Sequence, residues 1–167
     1  MVDLDKQWEI TEIRKMLPHD SKVVLYKTLV HDKRHRRDIF MGLDSLIVLY
    51  EGVINNTRQG HYVCLIPRST HIEYFSSLGY SPQHETTILG IENTHFQRVL
   101  GKNYKYSRIK LQRDAYNVNT CGLWCVARAY MHSDSLQAFQ RFFNRKQHVR
   151  GPDDKLLLMT HLLTRIT

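Results

Sequence analysis

Two of the three cysteines lie four residues apart in YNVNTCGLWCVARAY, residues 116–130, and their chemistry is the first question the sequence raises. A structural zinc site takes four Cys and His ligands from closely spaced pairs. Cys121 and Cys125 would supply one pair, and Cys64 with a histidine would have to supply the other. Because such a second pair is poorly defined, we expect no metal site and a separate role for each thiol.

The surroundings of the cysteines differ. Cys125 lies among apolar residues, and so does Cys64 within YVCLI, which is typical of free cysteines that pack in a core. Cys121 follows the polar, turn-rich run RDAYNVNT and precedes Gly122, which predicts a helix N-terminus. There the unpaired backbone N–H groups and the positive end of the helix dipole lower the pKa of a thiol and can bind an oxyanion. Gly122 has no side chain to block a substrate carbonyl, so Cys121 is the candidate nucleophile.

A nucleophilic cysteine also needs a base close to it in space. Among the ten histidines, His61 directly follows Gly60 and precedes Tyr62 and a run of apolar residues. This pattern predicts that His61 opens a strand, with its ring in a cleft and its backbone held rigidly. His61 is therefore the candidate general base.

The elements that must position these residues follow the order helix, strands, helices, which indicates an α+β layered domain. The spacing of apolar residues predicts a helix over residues 4–17 that ends at Pro18, and helical turns over residues 83–100. Strands are predicted for KVVLYKTLV, SLIVLYEG, HYVCLIPR, THIEYFSSLG and YKYSRIKLQ. SLIVLYEG should be buried on both faces and followed by a turn at NNTRQG, and the next two strands should form a hairpin.

Three helices are predicted in the last third of the chain, in CGLWCVARAYMH, DSLQAFQRFF and PDDKLLLMTHLLTRI. The last two carry Asp at the N-cap or in the first turn, where a carboxylate suits the helix dipole.

Length and composition are consistent with a single domain over residues 1–167, which we expect to be a monomer. No apolar run is long enough to span a membrane, the first residues lack the signal-peptide pattern, and three cysteines are too few for a disulfide framework. An intracellular protein that is not secreted is therefore expected.

The net charge of +8 favours polyanionic partners, although it is equally consistent with solubility alone. The densest basic cluster is HDKRHRRD, residues 31–38, and it contains no aromatic residue. We expect it to contact phosphate, if it binds nucleic acid, without reading base sequence.

Two blocks, GHYVCLIPRSTHIEYFSSLG and the downstream Q…NTCGLWC, together resemble the adenain and Ulp1-like cysteine proteases. That superfamily has Gly-His-Trp, apolar strand residues and Tyr-Phe-Asp-Ser-Leu/Phe-Gly, followed by Gln and by Cys-Gly-x-x-Cys. The residues of these two blocks are most similar to those of maturation proteases of adenovirus-like, virophage and Polinton-type elements. The resemblance extends over about residues 20–165 and includes SLIVLYEG and GPDDKLLLMTHLLT. It implies a central mixed β-sheet flanked by helices, a nucleophile at a helix N-terminus and no cofactor.

The resemblance also implies a papain-like mechanism. His61 would take the proton of Cys121, and the thiolate would attack the scissile carbonyl to form an acyl-enzyme. The backbone N–H of Cys121 and an upstream Gln amide would stabilise the oxyanion. Gln112 is our candidate for that amide, although it lies nine residues before Cys121, where the family has about six or seven. Asp114 is nearer to the expected position, but a carboxylate cannot donate to an oxyanion, so the intervening loop must bulge.

Two further positions depart from the family pattern. Tyr62 replaces the usual Trp, a mild change between aromatic walls, and Ser76 stands where the family has the Asp that orients the histidine. A serine can accept a hydrogen bond from imidazole but cannot stabilise imidazolium by charge. Three explanations stay open: a Cys–His dyad assisted by Ser76, a different acid, or a serine exchanged for an original Asp. Glu73 is close in sequence, but on a strand it would face the opposite side from Ser76.

We therefore expect a cysteine endopeptidase that cleaves viral capsid or precursor proteins, located in the virion or the host-cell cytoplasm. A ubiquitin- or SUMO-like deconjugating protease would share the fold, but the small size of the chain and the similarity of its motifs to those of viral proteases favour the first function. A weakly active relative that binds nucleic acid is the third interpretation. Adenoviral members of the family are activated by DNA and by a disulfide-linked peptide. The basic charge makes DNA a candidate partner here, whereas no thiol looks suited to the peptide link.

Overall fold

The computed structural model describes residues 6–92, 95–113, 119–145 and 151–163. Within these residues the chain forms an α+β fold of five strands and eight helices. In chain order the elements are α1 Ile10–Lys15, β1 Ser21–Leu25, α2 Tyr26–His31, α3 Arg36–Ile39, β2 Ser45–Ile54, β3 Thr57–Pro67, β4 Ile72–Phe75, α4 Pro82–Ile88, α5 Phe96–Leu100, β5 Lys105–Tyr106, α6 Cys121–Tyr130, α7 Leu136–Asn144 and α8 Pro152–Leu163. None of the helices within the described residues is long and apolar enough to cross a membrane.

The five strands form one mixed sheet in the order β1-β2-β3-β4-β5. The two outer pairs, β1 with β2 and β4 with β5, are parallel, and the inner pairs are antiparallel. A two-residue turn joins β2 to β3, with Asn55 and Asn56 both at positive φ. Such turns match the twist of a hairpin, and asparagine tolerates this conformation well. The prediction of a β3–β4 hairpin is confirmed. The predicted turn at NNTRQG is confirmed for Asn55 and Asn56, whereas its remaining residues, 57–60, belong to β3.

Both faces of the sheet are covered, which explains the continuous apolar run in β2. Ile47 points to a core that includes residues of α1, α6, α7 and α8. Leu46, Val48 and Tyr50 point to a second core that includes residues of α2, α3 and α5. The prediction that this strand is buried on both faces is therefore confirmed.

The structure corrects three predicted strands. KVVLYKTLV is a strand only as far as Leu25, after which α2 buries Tyr26 and Leu29 against the sheet and the Tyr26 hydroxyl donates to the Glu92 carbonyl. YKYSRIKLQ contributes just two residues to β5, because the backbone N–H groups of Leu111 and Gln112 bond to the Ser77 carbonyl instead. His61 does not open a strand but lies inside β3, paired with Tyr50.

The predicted helices are present, with altered ends. The first begins at Ile10 rather than near residue 4, and residues 1–5 lie outside the described residues. α7 is capped by the Ser135 hydroxyl rather than by an Asp, whereas α8 does carry Asp153 and Asp154 in its first turn.

The sheet opens between β3 and β4, and this opening positions the candidate site. Pairing between the two strands ends at Cys64 and Phe75, whereas β3 continues toward the hairpin with β2 as its neighbour. The N-terminus of α6 lies against this part of β3, with Gly122 beside the ring of Tyr62. A side chain from β3 and one from α6 can therefore meet at the edge of the opening.

Gly122 allows α1 and β3 to approach the first turn of α6. A Cβ atom at this position would lie 2.7 Å from Cδ1 of Ile13 and 3.2 Å from the ring of Tyr62. A side chain here would therefore have to displace the end of the Ile13 side chain and press on the Tyr62 ring, whatever space the substrate needs.

We predict that Gly122→Ala lowers the free energy of unfolding by about 1–3 kcal/mol, the usual cost of overpacking. Ile13→Val removes the atom in closest conflict, so the double variant should regain part of that loss. Denaturant unfolding of the wild type, both single variants and the double variant measures the coupling. Additive effects of the two substitutions would contradict this packing argument.

Candidate active site

Cys121 is the first residue of α6, as the sequence predicts, and it is partly exposed. The other two cysteines are fully buried in the core on the α6 face, also as predicted. Burial raises the pKa of Cys64 to about 12 and that of Cys125 well above the ordinary range. Both thiols are therefore unreactive at neutral pH, and Cys121 alone among the three has thiolate character.

His61 lies beside the Cys121 thiol, and each of the two groups shifts the pKa of the other. Burial raises the pKa of Cys121, but the charge and hydrogen bond of His61 and the backbone N–H groups of Tyr62 and Gly122 together lower it below its ordinary value. The N–H of Tyr62 is available because β4 has already left β3 at this point. The opening of the sheet thus supplies one of the donors that stabilise the thiolate.

The opposite side of the His61 ring faces a buried hydroxyl and a buried carboxylate. Nε2 of His61 lies 3.3 Å from Oγ of Ser76 and 3.1 Å from Oε1 of Glu85. The Ser76 hydroxyl also donates to Oε1 of Glu85 over 2.7 Å. With Nε2 engaged in this way, Nδ1 is the ring nitrogen that remains for the Cys121 thiol.

His61 is 7% exposed and Glu85 is 2% exposed, so water screens their interaction weakly. Burial lowers the pKa of His61, but the charges of Glu85 and Cys121 and hydrogen bonds to both raise it, to about 10 overall. The imidazole is therefore protonated at neutral pH and stands between the Glu85 carboxylate and the Cys121 thiol, and its charge lowers the pKa of that thiol. A cation beside a thiol favours the thiolate form that a nucleophilic cysteine needs.

Helix α4 places the Glu85 carboxylate next to Nε2 of His61. Ser81 caps this helix through its side chain, which accepts from the N–H of His84, and Pro82 occupies the first turn. Residues 82, 85, 86 and 89 face inward at helical spacing. The helix end packs directly on β2, because the Leu89 carbonyl lies where a side chain at Gly52 would be. Glu85 is thereby held within one turn of a fixed helix start.

Glu85 is the residue of this cluster that was not predicted from the sequence. Glu73, the alternative acid that lies close to Ser76 in the sequence, forms ion pairs with Arg128 and Arg68, away from His61. A readable signal for Glu85 was present: Ser81-Pro82 marks a helix start, and Glu85 shares the inward face of that helix with Leu89. Among the open explanations for Ser76, the geometry favours a different acid, with the serine hydroxyl as its hydrogen-bond donor.

Gln112 is buried and lies next to the same cluster through Ser77. The Ser77 hydroxyl donates to Oε1 of Gln112 over 2.8 Å, and the Gln112 N–H donates to the Ser77 carbonyl. Fixing Oε1 in this way orients the amide, whose N–H groups are the kind of donor that an oxyanion requires. The loop that would have to bulge, including Asp114, lies at residues 114–118, outside the described residues.

Comparison with known proteins finds a distant homologue over nearly the full length. The chain is 26% identical to "Uncharacterized protein V9" of Sputnik virophage over 167 aligned residues, which cover 89% of this chain and 91% of the relative. No family model matches the chain. No solved structure matches it either.

We predict that Glu85→Gln raises the apparent pKa for alkylation of Cys121 by about one unit or more. Loss of the Glu85 charge lowers the pKa of His61. A less fully protonated His61 then stabilises the Cys121 thiolate less. The rate of alkylation by iodoacetamide, measured as a function of pH with the modified site mapped by mass spectrometry, gives the apparent pKa. Glu51→Gln, at an exposed carboxylate on β2, is the matched control.

Adding Ser76→Asp to Glu85→Gln returns a carboxylate to the side of Nε2 and should lower the apparent pKa again. An unchanged profile in Glu85→Gln would show that this carboxylate does not support the ion pair.

Proposed function

We propose that this protein is a cysteine endopeptidase in which Cys121 is the nucleophile, His61 the general acid and base, and Glu85 the acid that orients His61. One observation carries the proposal: the Cys121 thiol stands at a helix N-terminus beside His61, and Nε2 of that imidazole lies 3.1 Å from a buried carboxylate oxygen of Glu85. This arrangement has the parts of a catalytic triad, which is recognised by geometry and role rather than by sequence position.

In the proposed reaction, the Cys121 thiolate attacks the carbonyl carbon of the scissile peptide bond and the carbonyl electron pair moves to oxygen. The backbone N–H of Cys121 and the amide of Gln112 stabilise this oxyanion. When the intermediate collapses, the C–N bond breaks and protonated His61 donates its proton to the leaving nitrogen. The products of this half are a free amine and a thioester on Cys121.

Water completes the cycle. His61, now neutral, takes a proton from the water that attacks the thioester, and the C–S bond then breaks. The carboxylic acid product leaves and the thiolate–imidazolium pair is restored. Glu85 stabilises the positive charge whenever His61 is protonated, and Ser76 holds the Glu85 oxygen in place by donating to it.

Viral precursor proteins, such as capsid proteins, are the proposed substrates. The support is the resemblance of the His and Cys blocks to maturation proteases, together with a homologue from a virophage. The proposed site of action is accordingly the virion or the cytoplasm of the host cell. A deconjugating protease would use the same catalytic residues on a different substrate. The two functions therefore differ in the protein that is cleaved and not in the catalytic site.

The cationic segment HDKRHRRD supports a second proposal, that the protein binds nucleic acid through phosphate contacts. This segment includes the first three residues of α3 and is held by Arg98, whose guanidinium donates to the backbone carbonyls of Asp32 and Arg34. Arg34 is neutralised by Asp32, whereas Lys33 and Arg37 are exposed. The neighbouring groove of about 630 Å³ is lined by further cations, including Arg36 and Arg68, and by the apolar residues Phe40 and Ile72.

We predict that the wild type cleaves members of a proteome-derived peptide library and the candidate capsid precursors, and that Cys121→Ala abolishes this cleavage. New termini are identified by mass spectrometry. Cys125→Ala, which removes a buried thiol, should retain the activity and serves as the matched control. Cleavage that persists in Cys121→Ala would contradict the assignment of the nucleophile. Covalent capture of ubiquitin or SUMO carrying a C-terminal electrophile would instead favour the deconjugating function.

For the cationic surface, we predict that replacing both Lys33 and Arg37 by Ala weakens binding to duplex DNA of any sequence. The slope of log affinity against log salt should fall by roughly 0.9 for each phosphate that the variant no longer neutralises. Fluorescence anisotropy over a salt series measures the slope. Arg14→Ala is the charge control, because α1 packs on the opposite face of the sheet. Equal slopes for the wild type and the double variant would exclude this surface.

A further inference from the structure

Asp153 joins three segments of the chain near the candidate active site. It is the second residue of α8, and it is 2% exposed. Oδ1 accepts from the Thr120 hydroxyl over 2.9 Å and from the Trp124 indole N–H over 3.0 Å, and Oδ2 accepts from the Arg113 backbone N–H over 2.8 Å. The sequence predicts that this Asp suits the dipole of its own helix, but its carboxylate also binds donors from two other segments.

The contact with Thr120 changes how α6 begins. A threonine at the N-cap usually accepts a hydrogen bond from the second or third N–H of its helix. Thr120 is the N-cap of α6 and makes no such bond: its backbone (φ −92°, ψ 1°) is not in the extended conformation of a capping residue, and its hydroxyl donates to Asp153. The first turn of α6 is therefore not capped by Thr120, and the N–H of Gly122 interacts with the Cys121 sulfur instead.

The contact with Arg113 holds the other side of the site. The preceding residue, Gln112, is bound to Ser77 through both its backbone and its side chain. Asp153 binds the next N–H along the chain, so this segment is fixed from two directions. One carboxylate thus links the residue before Cys121 to the residue after Gln112.

We propose that Asp153 is a positioning residue for peptide cleavage: it sets the separation between the N-terminus of α6 and the Gln112 segment, so that donors from both converge on one oxyanion. This inference rests on the proposed endopeptidase function. A small displacement of a preorganised donor is costly, because stabilisation of the developing charge depends on accurate placement.

Asp153→Asn separates the two links. The amide keeps one oxygen, which can still accept from Thr120 and Trp124, but its nitrogen cannot accept from the Arg113 N–H. The opposite orientation would keep Arg113 and lose two donors. In either case the bridge between the segments is broken while the size and shape of the side chain are preserved.

On a peptide that the wild type cleaves, we expect Asp153→Asn to lower kcat by roughly 10²-fold, the scale of losing one oxyanion donor, with KM unchanged. Alkylation of Cys121 by iodoacetamide should keep its rate and pH profile, because that displacement forms no oxyanion. Asp154→Asn, at the adjacent and more exposed carboxylate, should leave both reactions unchanged. Thr120→Val breaks the link at its other end and should show the same split, with a smaller effect because Trp124 still binds Asp153.

The outcomes distinguish the two proposals. If the wild type cleaves no peptide, the endopeptidase function fails. If the wild type cleaves and Asp153→Asn cleaves equally well, the positioning role fails. A parallel loss of cleavage, alkylation and thermal stability in both variants would also overturn it, since Asp153 would then be a structural residue only.

Discussion

The candidate site depends on one electrostatic constraint: a protonated imidazole and a carboxylate are both removed from water. Desolvation of an ion costs several kcal/mol, and that cost is offset when the opposite charge and the remaining hydrogen bonds are in place. His61 meets this condition between Glu85 and Cys121, and Glu85 meets it between His61 and Ser76. Removing Glu85 or His61 leaves the other as a buried charge without its partner, and removing Ser76 takes a hydrogen bond from the Glu85 carboxylate.

The sheet satisfies this constraint by opening at the right place. β3 continues past the point where its pairing with β4 ends, and in this part of the strand the backbone N–H of Tyr62 interacts with the Cys121 thiol. Helix α6 must then be held firmly against the opening, and a carboxylate secures it at each end. Asp153 binds its first turn, and Glu73 binds the fully buried Arg128 near its last turn. Neither carboxylate is bonded to His61, and the carboxylate that contacts this ring is that of Glu85, together with the Ser76 hydroxyl.

The strands and helices that follow a clear period could be predicted from the sequence. The turn after β2, the β3–β4 hairpin, the start of α6 at Cys121 and the burial of two cysteines all follow from local patterns. Other features depend on tertiary contacts. Tyr26 leaves the strand because its ring stacks on Tyr50, and β5 is short because the chain beyond it bonds to Ser77. These partners are distant in sequence, so local propensity gives no sign of them.

Glu85 shows the same limit at the site itself. The family pattern directs attention to the strand position of Ser76, whereas the carboxylate comes from a helix nine residues later. The two positions are physically coupled, because an Asp at position 76 would place a second carboxylate beside Glu85, and like charges at that distance repel. A serine there instead donates to Glu85 and shares its contact with His61.

The serine therefore does not by itself indicate a decayed enzyme. Glu85 supplies the carboxylate that Ser76 lacks, and it lies 3.1 Å from Nε2 of His61. The Ser76–Glu85 pair is better understood as an alternative way to place one negative charge beside His61.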